Sequence, residues 1–183
     1  MTRESPPAPD AGAFSRRVPA GDERERLVCD ACGFVVYENP KVVVGAVCAQ
    51  EDRILLCRRA IPPRRGFWTI PAGYLELNET TGQGAARETR EEARAEIEIE
   101  TLLAVYNVPR ISQVQVIYAA RLLSTTVSPG PESLAVDLVP WERIPWDEIA
   151  FPSVHWALRH YREYASGGPF ATRANPPGEW GDY

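Results

Sequence analysis

The chain has 183 residues, 44% of them apolar and 25% charged, which suits one ordinary globular domain with a tail or small appendage and excludes a two-domain enzyme or a disordered chain. Twenty Lys and Arg against 25 Asp and Glu leave a net charge of −5, which excludes a nucleic-acid binder resting on a basic face and means that a phosphate-rich ligand meets repulsion unless cations reverse it locally. Four cysteines are too few for a disulfide scaffold, there is no long apolar run, and the N-terminus MTRESPPAPDAGAFSRR lacks an apolar signal core, so the expectation is a soluble cytoplasmic protein without a membrane or nucleic-acid partner.

In chain order, residues 1–24 are rich in Pro, Ala, Asp and Arg without periodicity and read as a flexible tail, with at most a turn at Pro19–Asp22. Residues 25–40 hold one Cys29-Asp-Ala-Cys32 knuckle. Lys41 to Ala49 is a β-branched apolar run, followed by a turn at Glu51-Asp52 and a second run from Arg53 to Cys57, which predicts a hairpin. Phe67 to Ile70 is a short extended piece stopped by Pro71 and Gly73. A capping box, Thr80 with Gln83, opens a helix expected over about 81–94. Residues 96–100 and 113–117 alternate polar and apolar, as strands with one solvated face do, and 134–139 is a further strand. Val154, Ala157, Leu158 and Tyr161 recur at helical spacing behind Ser153 as a cap. The stretch 166–183 reads as a second tail whose Phe170, Trp180 and Tyr183 could dock on a surface. Strands, a helix, strands and a helix make an α+β fold with a mixed sheet packed between helices.

Glu88, Glu91 and Glu92 stand at i, i+3 and i+4 of the first helix, so three carboxylates share one face within a turn. They repel one another and lie toward the negative end of the helix dipole. Arg87, four residues before Glu91, offers compensation, and so does a hard divalent cation such as Mg²⁺ or Mn²⁺. Alone, this pattern describes a charge-striped solvated face.

The upstream residues change that reading. Gly73, five residues, Glu79, seven residues, Arg87-Glu88, two residues, Glu91-Glu92 resembles the Nudix box of the nucleoside-diphosphate-linked-X hydrolases. Two slots depart: Thr89 stands in a small apolar position, and Arg94 stands where the box has glycine, followed by Ala95. Glycine there takes the left-handed conformation that ends the helix, at which a non-glycine residue costs about 1 kcal/mol. Gly66 to Glu76 and Trp141-Glu-Arg-Ile-Pro145 are similar to the family's approach to the helix and its closing segment. Cys29-Asp-Ala-Cys32-Gly33, Tyr37-Glu-Asn-Pro-Lys41, Ser128 to Leu134 and Ile149-Ala-Phe151 resemble the branch that hydrolyses FAD and ADP-ribose, which often carries a zinc ribbon ahead of its catalytic domain.

The resemblance implies an α/β/α sandwich over 41–165 that hydrolyses a nucleoside diphosphate linked to another group, ADP-ribose or FAD, with release of AMP. It implies that Glu88, Glu91 and Glu92 hold Mg²⁺ or Mn²⁺ with the Ala72 carbonyl as a further ligand. Arg87 would pair with Glu79 to fix the loop, and Glu132 would serve as an additional ligand or the general base. The alternatives are a nucleoside triphosphate pyrophosphohydrolase and a non-catalytic nucleotide-sensing domain. The ribbon over 25–40 reads as degenerate and metal-free, because residues 1–28 contain neither Cys nor His; zinc held by Cys29 and Cys32 across a homodimer is the sharper alternative. Trp68, Tyr106, His155 and His160 read as packing residues rather than ligands, Tyr37 and Tyr106 as weak candidates for stacking on a base, and Cys48 and Cys57 as inert core thiols.

Overall fold

The computed structural model describes residues 13–181, and the first twelve positions of the expected N-terminal tail, together with Tyr183, lie outside them. The chain divides into two units at Asn39 and Pro40.

In the first unit, β1 (Phe14–Arg17), β2 (Arg26–Cys29) and β3 (Val35–Val36) form an antiparallel sheet in that order. Residues 13–24 are therefore not a flexible tail. Phe14 pairs with Cys29 and Arg17 with Arg26. The connecting turn closes through Asp22 N–H to the Pro19 carbonyl at 3.1 Å, and the Asp22 carboxylate accepts from the Glu23 and Arg24 N–H groups and from Arg26 Nε. Strand β1 has no buried residue, so it shows no alternation by which a sequence pattern could betray it.

The second unit is a mixed sheet. Its strands are β4 (Lys41–Gln50), β5 (Arg53–Arg59), β6 (Trp68–Thr69), β7 (Ala72–Tyr74), β8 (Ile97–Val108), β9 (Gln113–Leu122) and β10 (Ser133–Pro140). The central order is β10-β5-β4-β9-β8, with β4 and β9 parallel and the other pairs antiparallel. The β4–β5 hairpin pairs only near its turn, Ala49 with Ile54 and Gln50 with Arg53. Beyond it β7 takes over on β4 and β6 on β5.

Period-two alternation then decides the layers. Ala46, Cys48, Leu55, Cys57, Ala120 and Leu122 form one buried face, with Ala93 of α1 (Thr81–Ala93). Val47, Ala49, Ile54, Leu56 and Ala119 form the opposite face, with Trp156 and Leu158 of α2 (Pro152–Ala165). Each fully buried leucine, such as Leu55 or Leu56, contributes about 1.5–3 kcal/mol. The result is the expected α/β/α arrangement.

Three expectations are corrected here. Helix α2 is capped by Phe151 with Pro152 in its first turn, while Ser153 is buried inside it. Strand β8 continues well past residue 100 through two register shifts, which break the alternation that marked its start. The C-terminal stretch to residue 181 straps the β8 edge: Arg173 N–H donates to the Leu103 carbonyl and Val105 N–H to the Arg173 carbonyl, both at 2.9 Å. The Asn175 side chain bonds both backbone groups of Asn107, and Trp156 Nε1 donates to Glu179 at 2.6 Å. Phe170 packs edge-on against Tyr164, whereas Trp180 stays exposed. Among the described residues no helix is long and apolar enough to cross a membrane.

Candidate active site

Helix α1 begins with the expected capping box: Gln83 N–H donates to Thr80 Oγ1 at 3.2 Å and Thr80 N–H to Gln83 Oε1 at 2.8 Å. Its buried stripe is Gly84, Ala85, Glu88, Thr89, Glu92 and Ala93. Two of the three clustered carboxylates thus lie on the face that packs toward the sheet, which a solvated charge stripe would not do; Glu91 is exposed.

Arg87 fastens this helix to the loop before it. Its guanidinium donates to both Glu79 oxygens at 2.8 and 3.1 Å, to the Tyr74 carbonyl at 2.9 Å, to Glu88 Oε1 at 2.7 Å and to Glu91 Oε2 at 3.1 Å. Glu79 Oε1 also accepts the Glu76 N–H at 2.7 Å. A planar fork shared by three carboxylates fixes geometry far better than a single surface ion pair. These bonds hold Glu79 below the ordinary carboxylate range, the Arg87 contact being the main cause.

Two glycines permit close approaches. A Cβ on Gly73 would fall on the carboxyl group of Glu88, so glycine lets β7 pass beneath that side chain without displacing its carboxylate. A Cβ on Gly130 would collide with the Glu91 carbonyl. That contact seats the loop before β10 on the end of α1, where Gly130 and Ser128 N–H groups donate to the Glu92 and Ala93 carbonyls at 2.9 and 3.0 Å. These are carbonyls that a helix end leaves without intrahelical partners. The same loop carries Glu132, whose carbonyl accepts the Ala60 N–H at 2.8 Å. Arg94 itself adopts the left-handed cap, φ 53° and ψ 30°, and donates its N–H to the Arg90 carbonyl. The loop geometry expected of glycine is therefore kept, at a cost of about 1 kcal/mol.

The acidic groups face a cavity of about 660 Å³ whose wall includes Ala72, Gly73, Glu88, Glu91, Glu92 and Glu132. Burial first, then the charge of Glu88, pushes Glu92 up to about 8, with Glu132 adding to the rise and Arg59 opposing it. Burial likewise raises Glu88 against the pull of Arg87. Side chains that no motif marked complete the cavity. Arg59 is held by the Pro63 carbonyl at 2.8 Å and lies over Phe151, and Gln113 and Gln115 come from the strand parallel to β4. The polar side of β9, expected to face solvent, faces this cavity.

Among the described residues no group of three His, Cys, Asp or Glu is already arranged to hold a metal ion. Mg²⁺ does not require such a cage, since it binds through one or two carboxylates, its own waters and substrate phosphates. The all-oxygen donor set fits that ion. Burial, and after it the charge of Glu88, raises Glu92, and a bound cation would offset both; Arg87 engages only one oxygen each of Glu88 and Glu91. Zinc in the first unit does not fit. Cys29 is buried and Cys32 exposed; the Cys32 and Ala31 N–H groups hold the Cys29 thiol below its ordinary range, yet the unit offers no further Cys or His. Arg17 instead bonds Asp30 Oδ1 at 2.7 Å, as Ser15 does at 2.6 Å, and crosslinks the sheet there.

The weaker candidates resolve as packing. Tyr106 is fully buried with its hydroxyl on His160 Nδ1 at 2.7 Å, and His155 stacks on Trp146. Trp68 packs against the core; Tyr37, by contrast, is exposed in the first unit, with the Arg26 guanidinium over its ring. Burial pushes Cys48 up to about 12 and raises Cys57 also, as suits inert thiols.

Residues 39–163 match the family model described as NUDIX domain, and residues 11–38 match the zinc-ribbon model described as Nudix N-terminal. A solved NUDIX hydrolase from Nitrosomonas europaea is 48% identical, with a TM-score of 0.85 over 89% of this chain and 93% of that one. An ADP-ribose pyrophosphatase of Methanocaldococcus jannaschii is 32% identical over 42% of this chain and 45% of its own length. A human 8-oxo-dGDP phosphatase is 34% identical over 68% of this chain and 40% of its own. The chain thus spans less than half the length of these curated relatives.

Proposed function

We propose a substrate from one premise: this chain belongs to the Nudix hydrolase family. The proposed reaction is divalent-metal-dependent hydrolysis of the diphosphate bond of ADP-ribose or FAD, with release of AMP. The observation that carries it is the pair of carboxylates, Glu88 and Glu92, buried on the sheet-facing stripe of α1 and opening onto the 660 Å³ cavity. A buried acidic pair beside a cleft of that size suits a charged ligand that brings or shares cations, and the volume leaves room for groups on both sides of a diphosphate.

Glu88, Glu91 and Glu92, with the Ala72 carbonyl, would hold the Mg²⁺ or Mn²⁺. When bound, that ion neutralises the non-bridging oxygens and makes a water more acidic. Arg87 keeps Glu88 and Glu91 in register by holding one oxygen of each. Glu132, presented by the loop docked on α1, accepts the proton of the attacking water, and its backbone anchoring to Ala60 keeps it placed. Phe151, Ile61 and Ile111 give the cavity wall an apolar part against which the nucleoside would pack.

The archaeal relative's name and the loop over residues 128–133 support ADP-ribose or FAD. A second reading, a nucleoside di- or triphosphate bearing an oxidised base, is favoured by the longer alignment with the human relative. A substrate panel with Mg²⁺, scored by product chromatography, separates them. ADP-ribose or FAD should show kcat/KM at least ~10-fold above any nucleoside triphosphate, about 1.4 kcal/mol of differential transition-state binding. A triphosphate as best substrate, with pyrophosphate released, overturns the first reading and leaves the family chemistry standing.

A further inference from the structure

Three arginines of α1 and its cap meet different fates. Arg87 is spent on Glu79, Glu88 and Glu91, and Arg90 on Glu96 at 2.6 and 2.7 Å. Arg94 is exposed, and its guanidinium makes no hydrogen bond or ion pair among the described residues. Glu91, three residues earlier and near enough for a helical pair, turns to Arg87 instead. Arg94 also lines the cavity that holds the carboxylates. It does so from a left-handed cap, at a position where glycine would sit without strain. The other cation on that wall outside the Arg87 network is Arg59, tethered by Pro63 and Phe151. Arg94 is thus a cation on the wall of an acidic cavity with no partner among the described residues, and a phosphate entering that cavity would give it one.

We propose that Arg94 binds non-bridging phosphate oxygens of the nucleotide's diphosphate and so strengthens substrate binding; this rests on the hydrolase reading above. Carboxylates with their cation draw the phosphates from one side, and Arg94 draws them from the loop side of the same cavity. The fork geometry of Arg suits two phosphate oxygens, which a lysine ammonium would contact only as a point charge. Arg94 is thus a substrate-binding residue as well as the cap of α1, at a position where this chain departs from the box.

Calorimetric binding of α,β-methylene-ADP with Mg²⁺ to the full chain tests this, using wild type, Arg94→Gly, Arg94→Gln and Arg94→Lys. Expected are Kd values at least ~10-fold weaker for the Gly and Gln variants and an intermediate value for Lys. Arg94→Gly should melt at the same or a higher temperature, because glycine relieves the left-handed strain, so its weaker binding is not misfolding. Steady-state kinetics on the best substrate should place the loss in KM. Binding by Arg94→Gly within about twofold of wild type overturns the proposal, since that is what a mere cap predicts. A wild type that binds the analogue in an Arg94-dependent way but hydrolyses no linked diphosphate overturns the hydrolase reading alone. Turnover with KM unchanged in Arg94→Gly overturns this inference alone.

Discussion

Gly73→Ala isolates what one missing methyl does for the acidic cluster. A Cβ built at position 73 would stand closer than 3.0 Å to all three carboxyl atoms of Glu88, where ordinary contact begins at 3.4 Å. The obstacle is the far end of a flexible side chain, so the fold can yield by moving that carboxylate rather than β7. Arg87 would lose its 2.7 Å bond to Glu88 but keep its fork on Glu79, so stability should fall by only about 1 kcal/mol. The catalytic effect is larger, because displacing a positioning group by roughly 1 Å can cost about 10²-fold in rate. The expected variant is therefore folded, with a melting temperature within a few degrees of wild type, kcat reduced on the order of 10²-fold, and a raised Mg²⁺ concentration for half-maximal rate. A Mg²⁺ titration of steady-state turnover beside a thermal melt measures both. Wild-type turnover and Mg²⁺ dependence in a folded Gly73→Ala protein would show that the Glu88 position is not what the reaction requires.

The companion change Gly130→Ala strikes backbone instead, at the Glu91 carbonyl; lifting the loop forfeits two hydrogen bonds to the end of α1, about 1–3 kcal/mol, and displaces Glu132, so both melting temperature and kcat should fall. Glu92→Gln should lower kcat at least ~10²-fold while leaving the fold intact, and near-normal turnover of every nucleotide tested would remove Glu92 from the assignment. Without divalent metal, Glu92 has its folded pKa raised from 4.5 to about 8. Its contribution to stability is then complete below about 4.5 and is lost as pH rises toward 8, so the metal-free melting temperature should drop over that window. Adding Mg²⁺ or substituting Gln should flatten the decline, and a metal-free profile that rises from pH 5 to 8 in step with wild type plus Mg²⁺ contradicts the argument from burial and the Glu88 charge. For the ribbon, elemental analysis should find well under one zinc per chain and Cys29→Ser should fold normally, whereas half-stoichiometric zinc lost together with dimerisation in that variant would establish a shared site.

How much of this was legible follows from how far apart the cooperating residues lie in the chain. The carboxylate helix was readable to within a residue because its cap, its periodicity and its three glutamates are all local, and because Gly73 and Glu79 stand within a few turns of Arg87. The layers were readable from the order of the elements, strands, a helix, strands and a helix, and from the continuous apolar runs of β4 and β5, which are buried on both faces. Strand β1 and the C-terminal strap were not: the first buries nothing, and the second is held by polar side chains such as Asn175 and Glu179 that carry no periodic signal. The far wall of the cavity was invisible for a different reason. Gln113 and Gln115 reach it only because β9 lies parallel to β4, with Gln113 opposite Lys41 and Gln115 opposite Val43, a pairing between stretches some seventy residues apart. Their alternation looked like the solvated face of a strand, and its polar side does turn away from the core, but into the cavity. A polar face turned toward a buried acidic cluster is the arrangement a charged, hydrogen-bonding ligand requires, so the feature that sequence pattern assigns to solvent is the one through which the cavity would select its substrate.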